Sequence, residues 1–128
     1  MNTQDLKKMD RNHLVYSWKA QGAVDPIIMD RAEGIYMWDT DGKKYIDFCS
    51  GLLCVNIGHS NQHVLDAMRK QMEKCTYVGT MFGTEPKAKL GEMISEVTPG
   101  DLDYVFFANG GAEAIENAIK AARWSTGR

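Results

Sequence analysis

The sequence of 128 residues carries 15 basic and 17 acidic side chains, for a formal net charge of −2, and 44% of its residues are apolar. That length allows one domain with a real core, while the scattered basic residues give no electrostatic footprint for nucleic acid. No apolar run approaches the roughly 18 residues of a membrane span, so a membrane partner is also excluded.

The opening MNTQDLKKMD is polar, without an apolar h-region, and predicts a frayed arm and no secretory signal. Cys49, Cys54 and Cys75 are odd in number and lack metal-ligand spacing. They read as buried reduced thiols of a cytoplasmic protein, with no metal site. An apolar cluster at 13–18 ends in Trp18, for which packing against the body of the protein is the first expectation.

Residues 34–48 predict a hairpin. Ile35, Tyr36, Met37 and Trp38 form one strand, Lys44 to Phe48 the other, and Asp39-Thr40-Asp41-Gly42 the turn, with Asp-Gly at its strongest hairpin position. The aromatics of this hairpin are expected to serve the core. The following CSGLLCVNIGHS, residues 49–60, suits a loop and short strand beneath a site. His59 has no carboxylate or neighbouring cysteine in that run, so a structural role is expected ahead of a catalytic one.

Asn61 can cap a helix over 62–75, with Val64, Ala67, Met68, Gln71, Met72 and Cys75 on one face. A loop rich in large apolar groups, TYVGTMFG, leads to Thr84 as the cap of a further helix, with Pro86 in its first turn and Pro99-Gly100 as its stop. Its apolar positions Leu90, Met93, Ile94 and Val97 fit the helical period.

The stretch DYVFFANGGAEAIENAIKAAR, residues 103–123, predicts a strand at 104–108, a Gly-Gly turn and a helix opening directly off it. The N–H groups of Gly111, Ala112 and Glu113 then have no acceptor within the helix, and the dipole there favours an anion. Glycines at 110 and 111 let a bulky oxyanion approach the main chain. The spacing alone leaves phosphate binding and an ordinary strand–helix turn both open. The pattern is neither G-x-G-x-x-G nor a P-loop, which disfavours nucleotide binding by those routes.

These segments in this order resemble the class III aminotransferases, pyridoxal-phosphate enzymes of fold type I. The similarity lies in GIYMWDTDGKKYIDF, in SGLL followed by NIGH, in EVTPG and in FANGGAEA. The resemblance covers residues 15–128 and implies an α/β fold. Residues 1–60 would form an N-terminal arm, hairpin and buried loop, and 61–128 the start of a pyridoxal-phosphate-binding large domain. On this reading the chain is the N-terminal portion of a longer, apparently truncated enzyme.

The resemblance further implies that the amides of Gly111 and Ala112, with Gly110 beside them, hold the 5′-phosphate of pyridoxal 5′-phosphate. Many relatives carry serines where Gly110 and Ala112 stand, so this chain would rely on main-chain donors. Trp18 and Leu53 fall where relatives line the substrate pocket, although amine–pyruvate members often have tryptophan in place of Leu53. Met81 and Phe82 match a loop that reaches the partner subunit's site in a homodimer. For these four residues, packing or a dimer contact is an equal expectation.

TYVGTMFGTEP and NIGH point toward taurine–pyruvate or other ω-amino acid–pyruvate enzymes. The parent would transfer an amino group from an amine or ω-amino acid to a 2-oxo acid such as pyruvate. The family's Schiff-base lysine and pyridine aspartate match no position in this sequence, so no catalytic residue is assigned and the 128 residues alone are expected to be inactive. The alternatives are a non-catalytic module that pairs with a complete aminotransferase, a parent that performs mutase, racemase or decarboxylase chemistry, and a plain phosphate-ester-binding domain.

Overall fold

A computed structural model describes all of residues 1–128, which form two compact units, Met1–Thr76 and Tyr77–Arg128. The first unit begins with helix α1, Thr3–His13. This corrects the expected frayed arm. The Asn2 side chain accepts the Asp5 N–H at 2.9 Å, Asp5 sits in the first turn, and Arg11 and His13 sit in the last. Capping and dipole complementarity thus hold a polar helix that the hydrophobic pattern does not announce. Thr3 Oγ1 also donates to Asp41 at 2.5 Å and meets Thr40 Oγ1 at 3.0 Å, tying α1 to the hairpin turn.

Three strands, β1 (Met29–Glu33), β2 (Tyr36–Asp39) and β3 (Lys44–Ile46), make an antiparallel sheet in chain order. The β2–β3 hairpin is the predicted one. Strand β1 is additional: its sequence MDRAE lacks an apolar alternation, and it forms because its backbone pairs with β2, with a register irregularity between Met29 and Arg31. The Arg31 guanidinium lies 3.6 Å from the Trp38 ring centroid, and Lys44 Nζ lies 3.4 Å from that of Tyr36. Tyr36 and Trp38 are only half-buried. They are platforms for cations rather than the core residues expected.

Asp39 organises the hairpin turn and is one of the few buried residues. One carboxylate oxygen accepts the N–H groups of Asp41 and Lys43 at 3.0 and 2.9 Å, and the other accepts the Tyr45 hydroxyl at 2.7 Å. The Tyr45 hydrogen bond, reinforced by those two amides, holds the Asp39 carboxyl below its ordinary pKa of 3.8. A depressed carboxylate stabilises the fold above the unfolded value and stops doing so as pH falls through the folded one. The first unit is therefore expected to lose stability as pH drops below about 4. Asp39→Asn should weaken the protein at neutral pH and flatten that acid limb, as read by thermal melts between acid and neutral pH. An unchanged acid limb in the variant would remove Asp39 from the account.

After β3 the chain makes a kinked turn, α2 (Ser50–Leu53), with Gly51 at φ 68° and Leu52 at φ −148°. Helix α3, Gln62–Lys74, is capped by the Asn61 side chain accepting the Val64 N–H, as predicted. Cys49 and Cys54 are exposed and Cys75 is half-exposed, all three unpaired with one another. That corrects their expected burial: two of them flank the kinked turn, which carries its side chains outward.

In the second unit, α4 spans Glu85–Val97, with Pro86 in its first turn. Thr84 sits at its N-cap, but its side chain makes no capping hydrogen bond. Helix α5 spans Gly111–Thr126 and ends at Gly127, whose φ of 69° is left-handed; Arg128 N–H returns to the Arg123 carbonyl at 3.1 Å. The predicted strand at 104–108 is not formed. Its apolar run finds no neighbouring strand with which to build a ladder, and a strand exists only by pairing. Val24 is the buried hydrophobic side chain, at 4% exposure. The expected real core is therefore absent, and Met68, Met93, Ile115 and Trp124 stay exposed. No helix is long and apolar enough to cross a membrane.

Candidate functional site

The N-terminus of α5 is the first candidate. Gly110 is its N-cap and makes no side-chain cap hydrogen bond. The first intrahelical bond runs from Ala114 N–H to the Gly110 carbonyl at 3.0 Å, leaving the amides of Gly111, Ala112 and Glu113 at the open end. Glu113 folds back, and its carboxylate accepts the Asn109 N–H at 2.9 Å, with Asn109 Nδ2 at 3.4 Å. It therefore fixes the entry to the helix without occupying the amides of residues 111 and 112. A Cβ at Gly110 or Gly111 would meet no atom within 4 Å, so the main chain can be approached from outside. Gly110 has φ −160°, an extended conformation open to any residue, and contributes open space rather than a special dihedral. The donor set is main-chain N–H at the positive end of a 16-residue helix, which fits a phosphate group held without hydroxyl side chains.

The second cluster was not visible in the sequence. His59 Nε2 meets Asp47 Oδ2 at 2.7 Å, with the Asp47 side chain 6% exposed and that of His59 21% exposed. The same Asp47 oxygen accepts the Gly51 N–H at 2.7 Å. The His59 hydrogen bond, aided by the Gly51 amide, lowers the Asp47 pKa below 3.8. The main chain of His59 also forms a two-way bridge with Gly34, at 3.0 and 2.8 Å. The carboxylate missing from the His59 run comes from the end of the hairpin, twelve residues earlier. Period-2 alternation in the hairpin gives no hint of that pairing.

The other expected site residues fall two in each unit. Trp18 and Leu53 belong to the first unit and are 81% and 82% exposed. Leu53 stands at φ 62°, an unusual conformation for a bulky residue. Met81 and Phe82 lie in the second unit, exposed, in a turn where Phe82 N–H donates to the Gly79 carbonyl at 3.0 Å. At 81% exposure, packing against the body of the protein does not account for Trp18.

Comparison with known proteins gives this geometry a setting. The family described as aminotransferase class-III matches residues 18–128. The acetylornithine aminotransferase of Archaeoglobus fulgidus is 36% identical over 124 residues, covering 97% of this chain and 32% of that protein. The 5-aminovalerate aminotransferase of Pseudomonas aeruginosa is 37% identical over 84% of this chain and 26% of its own length. Among solved structures, taurine:2-oxoglutarate aminotransferase from Bifidobacterium kashiwanohense, in complex with pyridoxal phosphate and glutamate, aligns with a TM-score of 0.92 at 37% identity. The alignment covers all of this chain and 29% of that one. The (S)-enantioselective ω-transaminase of Thermomicrobium roseum aligns with a TM-score of 0.90 at 36% identity, over 97% and 29%. The chain thus spans about a third or less of the length of these relatives. Its mixed helix and sheet structure matches the N-terminal part of such enzymes, whose family depends on pyridoxal phosphate. The chain belongs to the class-III aminotransferases.

Proposed function

We propose that this chain opens a pyridoxal-phosphate-dependent transaminase that moves an amino group from an amine or ω-amino acid to a 2-oxo acid such as pyruvate. The observation that carries the reading is the α5 N-terminus, where the Gly111 and Ala112 amides have no acceptor within the helix and the space at Gly110 and Gly111 is open. These groups would hold the cofactor's phosphate, and residues 61–128 would begin the domain that binds it. When bound, the cofactor supplies an aldehyde that takes up the amino group and a ring that accepts electrons. Trp18 and Leu53 would line the substrate pocket, and Met81 and Phe82 would reach the partner's site in a homodimer. The lysine that bonds the cofactor would lie outside residues 1–128, and a cytoplasmic setting agrees with three cysteines that form no disulfide.

The relatives differ in amino donor by name, with acetylornithine enzymes at 36–40% identity and taurine or ω-transaminase structures at 28–37%. Identity alone does not separate these donors. The deciding experiment incubates the protein as its gene encodes it with taurine, 5-aminovalerate or N-acetylornithine, each with pyruvate or 2-oxoglutarate, and quantifies the new amino acid. Alanine formed from pyruvate with an ω-amino donor is the expected result. Loss of carbon dioxide or racemisation without amino transfer would overturn it. A chain limited to residues 1–128 is expected to show no turnover.

A further inference from the structure

The geometry points to Asp47 and His59 as positioning residues that lock the kinked 50–53 turn and thereby fix Leu53 toward the amino donor. This inference rests on the proposed transaminase reading for the role of Leu53, but the lock itself is visible without it.

The turn is a strained one. Ser50 and Leu53 have φ of 51° and 62°, where a side chain costs energy, and Gly51 lies between them at 68°. A Cβ on Gly51 would come within 2.9 Å of Val55 Cγ2, so the chain is confined on that side too. Two left-handed residues with side chains in four positions do not persist on local preference. Something outside the turn must over-determine them.

Asp47 is placed to do so. It is anchored through its own N–H to the Ile35 carbonyl at 2.8 Å, at the end of the sheet. Its carboxylate then grips the Gly51 N–H inside the turn and the His59 ring beyond it, each at 2.7 Å. His59 in turn cannot drift, because its backbone is bridged in both directions to Gly34 at the β1–β2 connection. One carboxylate oxygen therefore joins the sheet end, the strained turn and the NIGH segment. The exposed Leu53, and not the half-buried pair, is the group the turn presents outward. Neither Asp47 nor His59 needs to touch substrate for this role.

The test uses the protein as its gene encodes it, with four variants. Asp47→Ala and His59→Ala remove the two partners, His59→Gln restores an N–H donor at similar reach, and Asp66→Asn removes an equally charged group from an exposed pair with Arg69. Amide hydrogen exchange at residues 50–54 and steady-state kinetics with the amino donor are measured on each. For Asp47→Ala and His59→Ala, exchange in the turn should rise at least tenfold while the hairpin-turn amides around Asp39 stay protected. The donor KM should rise about tenfold with kcat changed less than about threefold, the pattern of lost ground-state positioning. His59→Gln and Asp66→Asn should behave as the unmutated protein.

If Asp47→Ala unfolds the chain, His59→Ala against His59→Gln decides the matter. Unchanged exchange at 50–54 overturns the lock. Raised exchange with an unchanged donor KM overturns the role in positioning substrate. Absence of amino transfer by the unmutated protein overturns the functional reading and the substrate half of this inference, and exchange then decides the lock alone.

Discussion

Gly111→Pro is expected to weaken binding of the cofactor's phosphate about ten- to hundredfold while leaving α5 folded. Gly111 is the first helical residue, the position at which proline is best tolerated in a helix. Gly110 before it is extended, with φ −160° and ψ 164°, which is where a residue preceding proline prefers to lie. The substitution therefore deletes one N–H with little cost to the helix. A hydrogen bond to a charged group contributes about 1.5–3 kcal/mol, which gives the stated range. Gly111→Ala keeps the N–H and places a methyl in open space, so it should bind within about threefold of the original. Pyridoxamine phosphate is the ligand to titrate, because it carries no aldehyde and cannot bond to a lysine. Equal affinity for Gly111→Pro, with helix content unchanged by circular dichroism, would remove the amide of residue 111 from the phosphate site.

The second large effect is on stability. Gly58→Ala is expected to cost about 2–4 kcal/mol, a large share of what holds an ordinary domain folded. Two independent terms add. Gly58 has φ 81°, and its new Cβ would lie 3.2 to 3.4 Å from the Cα, C and O atoms of Gly34. Those atoms are backbone, and they are held by the bridge between Gly34 and His59, so they cannot yield as a flexible side-chain end would. Gly42→Ala is the matched control: its φ is also 81°, but a Cβ there meets nothing within 4 Å. It should pay only the backbone strain, about 1–2 kcal/mol. Denaturant unfolding of the two variants separates the terms, and equal losses would show that the Gly34 contact carries no weight.

The glycine of NIGH is thus legible in the sequence as a turn residue, yet its main constraint is a close approach to a backbone 24 residues earlier. The same division runs through the chain. Local chemistry announced the Asp-Gly hairpin, the Asn61 cap, the proline-tolerant start of α4 and the glycine-led start of α5, because each depends on residues within one turn of one another. It also carried the family, through short segments in order. It did not announce α1, whose stability comes from a cap and end charges rather than an apolar stripe. Nor did it announce β1, an edge strand that exists only because β2 offers it a ladder.

The run at 104–108 shows the opposite error. Its composition suits a strand, but strand formation is a property of pairs, and no partner strand lies beside it. The amphipathic faces of α3, α4 and α5 were likewise correct as patterns, while their burial depends on a covering layer. By itself the sequence determined the hairpin turn, the bounds of α3, α4 and α5 and which amides are left open at α5, since those follow from local backbone chemistry. Only the tertiary structure decided that Asp47 meets His59, that Asp39 gathers its turn, and that Tyr36 and Trp38 face cations. Those contacts join residues that no periodicity relates, and they form where the chain folds back on itself.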